Sequence, residues 1–199
     1  MSIDKIECLL KLLNSSKINI KGKVMDSVRF FSQKRLSSYK DENEHKDNFL
    51  LIQKITPNLG IIEIVTRNIV ASLLNFEDNQ FISKQTFGFW AKTLEEEKIH
   101  NKIVNLDRVE FKKYSQFNKK DKLLNYQKVK IVYSLLTTIR NRAFHFENLY
   151  KLNQNSTPRI STKVGKTLVG IDPRNLEQFI EDILDCFDEN LKKYIKKGG

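Results

Sequence analysis

Apolar residues recur every three or four positions along almost the whole chain, and strand-like alternation is scarce, which predicts a mainly helical protein. Helices are expected over Ile3–Leu13, Lys23–Tyr39 and Lys46–Ile55, the third ended by Pro57 because a residue before proline is pushed out of the helical region. A nearly all-apolar helix, Leu59–Phe76, should run through the core. Phe87–Glu97 follows, and the longest helix is expected at about 119–152. Asp172 can cap a last helix over about 173–196, with Pro173 in its first turn. Leu176, Phe179, Ile180, Ile183, Leu184, Phe187, Leu191, Tyr194 and Ile195 form its apolar stripe. Just before it, β-formers flank Gly165, which predicts a short hairpin. The expectation is an all-α helical bundle with one small β-hairpin, in a single domain over 1–199 without internal repeats.

Composition narrows the class. The 199 residues are 40% hydrophobic and 30% charged, with seven Gly and three Pro, which excludes whole-chain disorder and collagen-like structure. Two cysteines, Cys8 and Cys186, cannot build a disulfide framework, and three histidines give no zinc-type spacing. No metal or other cofactor is expected. Asp4 and Glu7 interrupt the first apolar run, so it does not read as a signal peptide. Pro57, Glu63 and Arg67 break the closest approach to a membrane span. A reduced, cytoplasmic setting without membrane contact is therefore expected.

Charge adds a location. The formal charge is +11, with 14 Lys/Arg against 13 Asp/Glu in residues 1–97, 16 against 4 in 98–170, and 5 against 7 in 171–199. Within the basic stretch, Lys112, Lys113, Lys119, Lys120, Lys122 and Lys128 alternate with Phe111, Tyr114, Phe117 and Tyr126. Such interleaving suits RNA or another single strand whose bases can stack. A solvated lysine face with its aromatics turned into the core fits the same spacing.

Two polar clusters stand out from the packing pattern. In the Leu59–Phe76 helix the charges are Glu63 and Arg67, four residues apart on one face, with Asn68 beside them. Either they pair with each other, or this face meets a helix carrying a site. A charge in such surroundings costs several kcal/mol unless paired. The second cluster follows nine uncharged residues, Ile131–Ile139, as Arg140-Asn141-Arg142-Ala143-Phe144-His145-Phe146-Glu147-Asn148. On a helix Asn141 and His145 lie about 40° apart in projection, whereas Arg140 is about 140° from His145. One helix is thus a poor place to complete a site, and two copies meeting about a two-fold axis would do it better. Histidine both takes and gives a proton near neutral pH, and arginine holds phosphate with a fixed fork of donors. RNA supplies its own nucleophile, the 2′-hydroxyl, so proton transfer and charge stabilisation suffice.

Arg140-Asn141-x3-His145 resembles the Arg-x4-6-His motif, with Asn after the Arg, of the HEPN superfamily of small all-α proteins. The wider segment IRNRAFHFENLYKLN looks like the corresponding part of the Abi-like (AbiD/AbiF abortive-infection) family of bacteria. Arg35, Leu36 and Tyr39 resemble that family's early Arg-Leu-x-x-Tyr element, and Glu63, Arg67 and Asn68 its Glu-x3-Arg-Asn helix. Phe87, Gly88 and Trp90 resemble its Phe-Gly-x-Trp segment. These blocks keep the family's order over about residues 25–155. Many relatives carry Ala-His-His where this chain has Ala143-Phe144-His145.

The resemblance implies a HEPN-like bundle, a homodimer with facing motif helices, and a metal-independent endoribonuclease acting in abortive infection or as a toxin. His145 would be general acid and base, Arg140 the phosphate ligand and Asn141 a positioning group. Glu63 would orient the cluster, with Arg67 and Arg142 in support, and Lys112, Lys113, Lys119, Lys120 and Lys122 would contact RNA. A small structured RNA or a protein antitoxin is an implied partner. The alternative is a noncatalytic HEPN module that binds structured RNA or a protein. A DNA-binding helical protein is the weakest reading, because nothing resembles a helix-turn-helix pair.

Overall fold

The computed structural model describes residues 17–20, 23–119 and 122–196. The expected helix at Ile3–Leu13, Cys8 and Lys120 lie outside the described residues. The chain gathers into two compact units, Met1–Asp47 and Asn48–Gly199. Helices hold most of the described chain and the strands form only two hairpins, so the class is all-α.

In the first unit, β1 (Lys17–Ile20) pairs antiparallel with β2 (Lys23–Asp26), Lys17 opposite Asp26 and Ile20 opposite Lys23. Two short helices follow, α1 (Ser27–Phe31) and α2 (Gln33–Leu36). This corrects the single helix expected over Lys23–Tyr39. Asp26 instead caps α1 by accepting from the Arg29 N–H at 3.2 Å, and Ser32, at φ 62°, ends it and accepts from the Arg35 N–H. Short polar side chains offered the backbone local partners that compete with a continuing helix. The His45 ring lies edge-on to Phe31 and Tyr39, with centroids 4.8 and 4.7 Å away.

The division falls within α3 (Glu42–Leu73), a single 32-residue helix that contains Pro57. A helix was expected to stop there, and it does not. Proline removes one hydrogen bond, to the carbonyl of Gln53, and both Pro57 and Gln53 are exposed, so water can satisfy that carbonyl. On the other side Ile52, Ile55, Leu59, Ile62 and Val70 are buried in one unbroken stripe. At about 1.5–3 kcal/mol for each buried side chain, the stripe outweighs one proline at about 3 kcal/mol. Pro57→Ala is accordingly expected to raise stability by about 1–2 kcal/mol, part of the gain being offset by the freer unfolded chain. Chemical denaturation would check this, and an unchanged midpoint would show that the proline is accommodated without cost. By length and composition α3 is long and apolar enough to cross a membrane, although that says nothing of where the protein resides.

The second unit continues with α4 (Asn79–Lys84), α5 (Phe87–Glu96) and α6 (His100–Ile103). A 3-10 turn at Phe111–Tyr114 then leads to α7 (Asn125–Phe144). Strands β3 (Ser161–Val164) and β4 (Thr167–Gly170) pair antiparallel about Gly165, at φ +60°, which glycine adopts without penalty. This is the expected hairpin. The core joins Ile55 and Ile62 of α3, Trp90 and Leu94 of α5, and Ile131, Leu135, Leu136 and Ile139 of α7. Tyr133 fastens two of these helices, its hydroxyl 2.7 Å from Thr66 Oγ1 and its ring stacked on Phe87.

Two helix boundaries differ from expectation. Asp172 caps a 3-10 turn at Pro173–Asn175, which opens α8 (Leu176–Phe187). Extended backbone at Asp188 then separates α8 from α9 (Asn190–Lys196), where one helix to 196 was expected. Leu176, Phe179, Ile180, Ile183 and Leu184 are buried, Phe187 and Leu191 half-buried, and Tyr194 80% exposed, so the stripe that would extend the helix loses its cover. The Ile195 side chain lies outside the described residues. Helix α7, expected over 119–152, is shorter at both ends. Asn125 opens it by accepting from the Leu106 N–H at 2.7 Å and donating to the Val104 carbonyl at 3.1 Å.

Candidate functional site

The Arg-Asn-x3-His segment occupies the last turns of α7, and how that helix stops decides where its side chains sit. The Glu147 N–H reaches back to the Arg142 carbonyl at 2.9 Å and the Phe146 N–H to that of Ala143 at 3.0 Å. This is the Schellman closure, with Phe146 at φ 51° in the place glycine usually takes. An aromatic residue is disfavoured there, and neighbours hold it. The Phe146 ring packs on Phe49 at 5.4 Å, while Asn48 donates to the Glu147 carbonyl at 3.1 Å and accepts from the Leu149 N–H at 2.8 Å. Asn48 is buried at the start of the α3 stripe. A lone amide on an otherwise apolar helical face was its signal in the sequence.

His145 is therefore the capping residue at the end of α7, where continuous helix through 152 was expected. Its N–H still bonds the Asn141 carbonyl at 3.1 Å, so the two residues keep their shared face. Both are exposed, and among the described residues the imidazole makes no side-chain hydrogen bond or ion pair. Phe144 and Phe146, on either side of His145, are 45% and 42% exposed.

Arg140 points elsewhere. Its Nε donates to Glu63 Oε2 at 3.1 Å, joining α7 to α3. The guanidinium also lies 4.6 Å over the Phe144 ring, and Nη1 is 3.5 Å from Asn141 Oδ1. Both partners of the ion pair are half-buried, so Glu63 fixes the arginine at lower solvent screening than a surface pair has. An arginine carries five N–H donors, and Nη2 remains for an oxyanion. Of the two readings of Glu63, the interhelical one matches the geometry, since its partner is Arg140 and Arg67 instead reaches Asn68 Oδ1 at 3.4 Å.

Arg142 sits on a different side of the helix, half-buried, with Nη1 sealed from solvent and unbonded among the described residues. Burial lowers its pKa, the neighbouring Arg159 lowers it further, and Glu147 opposes both. Arg142 thus has a donor unspent, with one cation and one carboxylate acting on it in opposite directions.

The basic stretch divides. Phe111 and Tyr114 are buried, so they serve the core and not base stacking. Lys113 pairs with Asp182 at 2.7 Å and Lys112 donates to the Gln116 carbonyl at 2.6 Å. Lys128 donates to the carbonyls of Leu106, Asp107 and Val109, which makes it a clamp for the connection before α7. Lys119, Lys122, Phe117 and Tyr126 are exposed and keep the original pattern of cation beside aromatic. The structure thus brings together Glu63, Arg140, Asn141 and Phe144, with His145 one turn beyond Asn141. No protein-family model, curated protein or solved structure matches this chain.

Proposed function

We propose that this chain is an HEPN-like, Abi-like endoribonuclease that works without a metal as a cytoplasmic abortive-infection or toxin effector. The observation that carries the reading is an arginine fixed by a half-buried carboxylate from a neighbouring helix, on the same helix end as an exposed histidine that no described side chain occupies. Attack of the 2′-oxygen on the adjacent phosphorus expels the 5′-oxygen of the next nucleotide. One imidazole accepts the 2′-hydroxyl proton, and a proton is delivered to the leaving oxygen, giving a 2′,3′-cyclic phosphate and a 5′-hydroxyl. Arg140 donates from its unused nitrogen to the phosphorane, and its hold on Glu63 keeps that donor placed before the charge develops.

Each chain carries one histidine in the motif, while the reaction uses an acid and a base. A homodimer that places two His145 side chains across a two-fold axis supplies both. Exposed Phe144 and Phe146 beside the histidine are the kind of apolar area such an interface covers. The buried, unbonded Nη1 of Arg142 is a donor that an acceptor on a partner could take after a small side-chain shift. An activity of this type needs restraint in its host, and a structured RNA or a protein antitoxin is the partner expected to supply it.

Incubating the purified protein with single-stranded RNA in EDTA tests the reading. Products ending in cyclic phosphate and 5′-hydroxyl, from a species that light scattering shows to be a dimer, are expected. Intact RNA would sink the proposal. The exposed Phe117, Lys119, Lys122 and Tyr126 favour one second reading, a noncatalytic RNA-binding module. Intact RNA bound tightly, with strong salt dependence that Lys119→Glu and Lys122→Glu abolish, would establish that module instead.

A further inference from the structure

A cavity of about 400 Å³ opens between α5, α7 and β3, away from the Glu63–Arg140 pair. That volume is within the range of small-molecule sites. Its wall contains His100, 8% exposed, whose Nε2 is buried without a hydrogen-bond partner among the described residues. That nitrogen is out of reach of a water-sized atom, so what the cavity meets of His100 is its ring. Thr138 spends its hydroxyl proton on the Ser134 carbonyl at 3.0 Å, so its oxygen meets the cavity with lone pairs only. Ser134 and Thr162 bond each other at 2.7 Å, and one of the two hydroxyl protons remains to be donated outward. Lys92 is paired with Glu96 at 3.3 Å and Lys130 with Glu95, which leaves Lys163 as the lining cation without a carboxylate partner among the described residues. Acceptors, a hydroxyl donor, an aromatic ring and the unpaired Lys163 together suit a heterocycle on a sugar phosphate.

Ser134, Thr138, Asn141 and His145 are spaced four, three and four residues apart, and so follow one face of α7. From Thr138 to His145 is about 10 Å along the axis, a distance an extended strand covers in a few nucleotides.

We propose that this cavity is a nucleotide subsite, which holds one nucleotide of a single-stranded RNA whose scissile phosphate lies at His145. The strand's direction rests on the ribonuclease reading, whereas the choice of a nucleotide rests on the cavity's own residues. Lys163 meets the phosphate, and Thr138 with the Ser134–Thr162 hydroxyl pair meets the base or ribose.

The test is fluorescence anisotropy with a labelled RNA hexanucleotide in a His145→Ala background, so that no cleavage intervenes. Ser134→Phe fills the mouth of the cavity and is expected to weaken binding at least tenfold. Thr138→Val, close in shape but without the acceptor, should weaken it several-fold, and circular dichroism establishes that each variant is folded. The four nucleoside monophosphates, added singly, should compete for the hexanucleotide in the parent and not in Ser134→Phe. Competition by a monophosphate without any effect of Ser134→Phe on the hexanucleotide would overturn the RNA-strand assignment. Unchanged affinity for both ligands in both folded variants would overturn the nucleotide site altogether. Should wild-type protein leave RNA intact while Ser134→Phe still abolishes monophosphate binding, the ribonuclease reading fails and the nucleotide cavity stands.

Discussion

His145→Ala is expected to slow RNA cleavage by about 10²–10⁴-fold, the range that a positioned general acid or base contributes. The same change should leave stability within about 0.5 kcal/mol of wild type, because the side chain is exposed at the end of α7 and bonds nothing described. That separation of activity from stability is what distinguishes a chemical role from a structural one. Arg140→Ala cannot make the distinction alone. It removes a donor to phosphate and also strands the half-buried Glu63 carboxylate, so lost activity would be mixed with lost stability. Single-turnover cleavage of a labelled RNA, read beside thermal melts, checks the histidine prediction. A His145→Ala protein that cuts at the wild-type rate removes this residue from the chemistry.

The parts of the fold written in local pattern were legible. The start of the last helical region at Asp172-Pro173, the hairpin about Gly165 and the helix at Phe87 each depend on residues within a few positions of one another. The charges at Glu63 and Arg140 could be singled out because an apolar helix makes an unpaired charge expensive. That they bond each other could not, since 77 residues separate them. The misreadings have the same root. Pro57 signals a stop over a short window, but burial along the whole of α3 decides the outcome. The helix carrying the motif ends at His145 in part because Asn48, 99 and 101 residues distant, takes the carbonyl of Glu147 and the N–H of Leu149. Interleaved lysines and aromatics over 111–126 could belong to a core or to a nucleic-acid surface. Burial gives Phe111 and Tyr114 the first role, and the exposure of Phe117 and Tyr126 is compatible with the second.

Asn118 sits where those two roles meet, and Asn118→Ala is expected to be the most damaging polar substitution in this region. The side chain is 2% exposed and makes three bonds, donating to the carbonyls of Phe111 at 2.7 Å and Gly170 at 2.8 Å and accepting from the Gly170 N–H at 2.8 Å. It thereby ties the 3-10 turn to the end of β4. Truncation leaves three backbone groups without partners, at about 1–3 kcal/mol each where water cannot reach them. Partial rehydration brings the expected loss to about 3–5 kcal/mol, a fall in melting temperature of about 6–20 °C. Asn118→Asp should not rescue it, because the carboxylate keeps the acceptor for Gly170 N–H but loses both donors and carries a charge into a dry site. Differential scanning calorimetry decides the matter, and a fall of less than 2 °C would show that water replaces the amide. Below its melting temperature the variant should still cleave RNA, since the clamp touches neither Arg140 nor His145. A loss of affinity relative to wild type that shrinks as salt rises would place Lys119, the next residue, in contact with the phosphate chain.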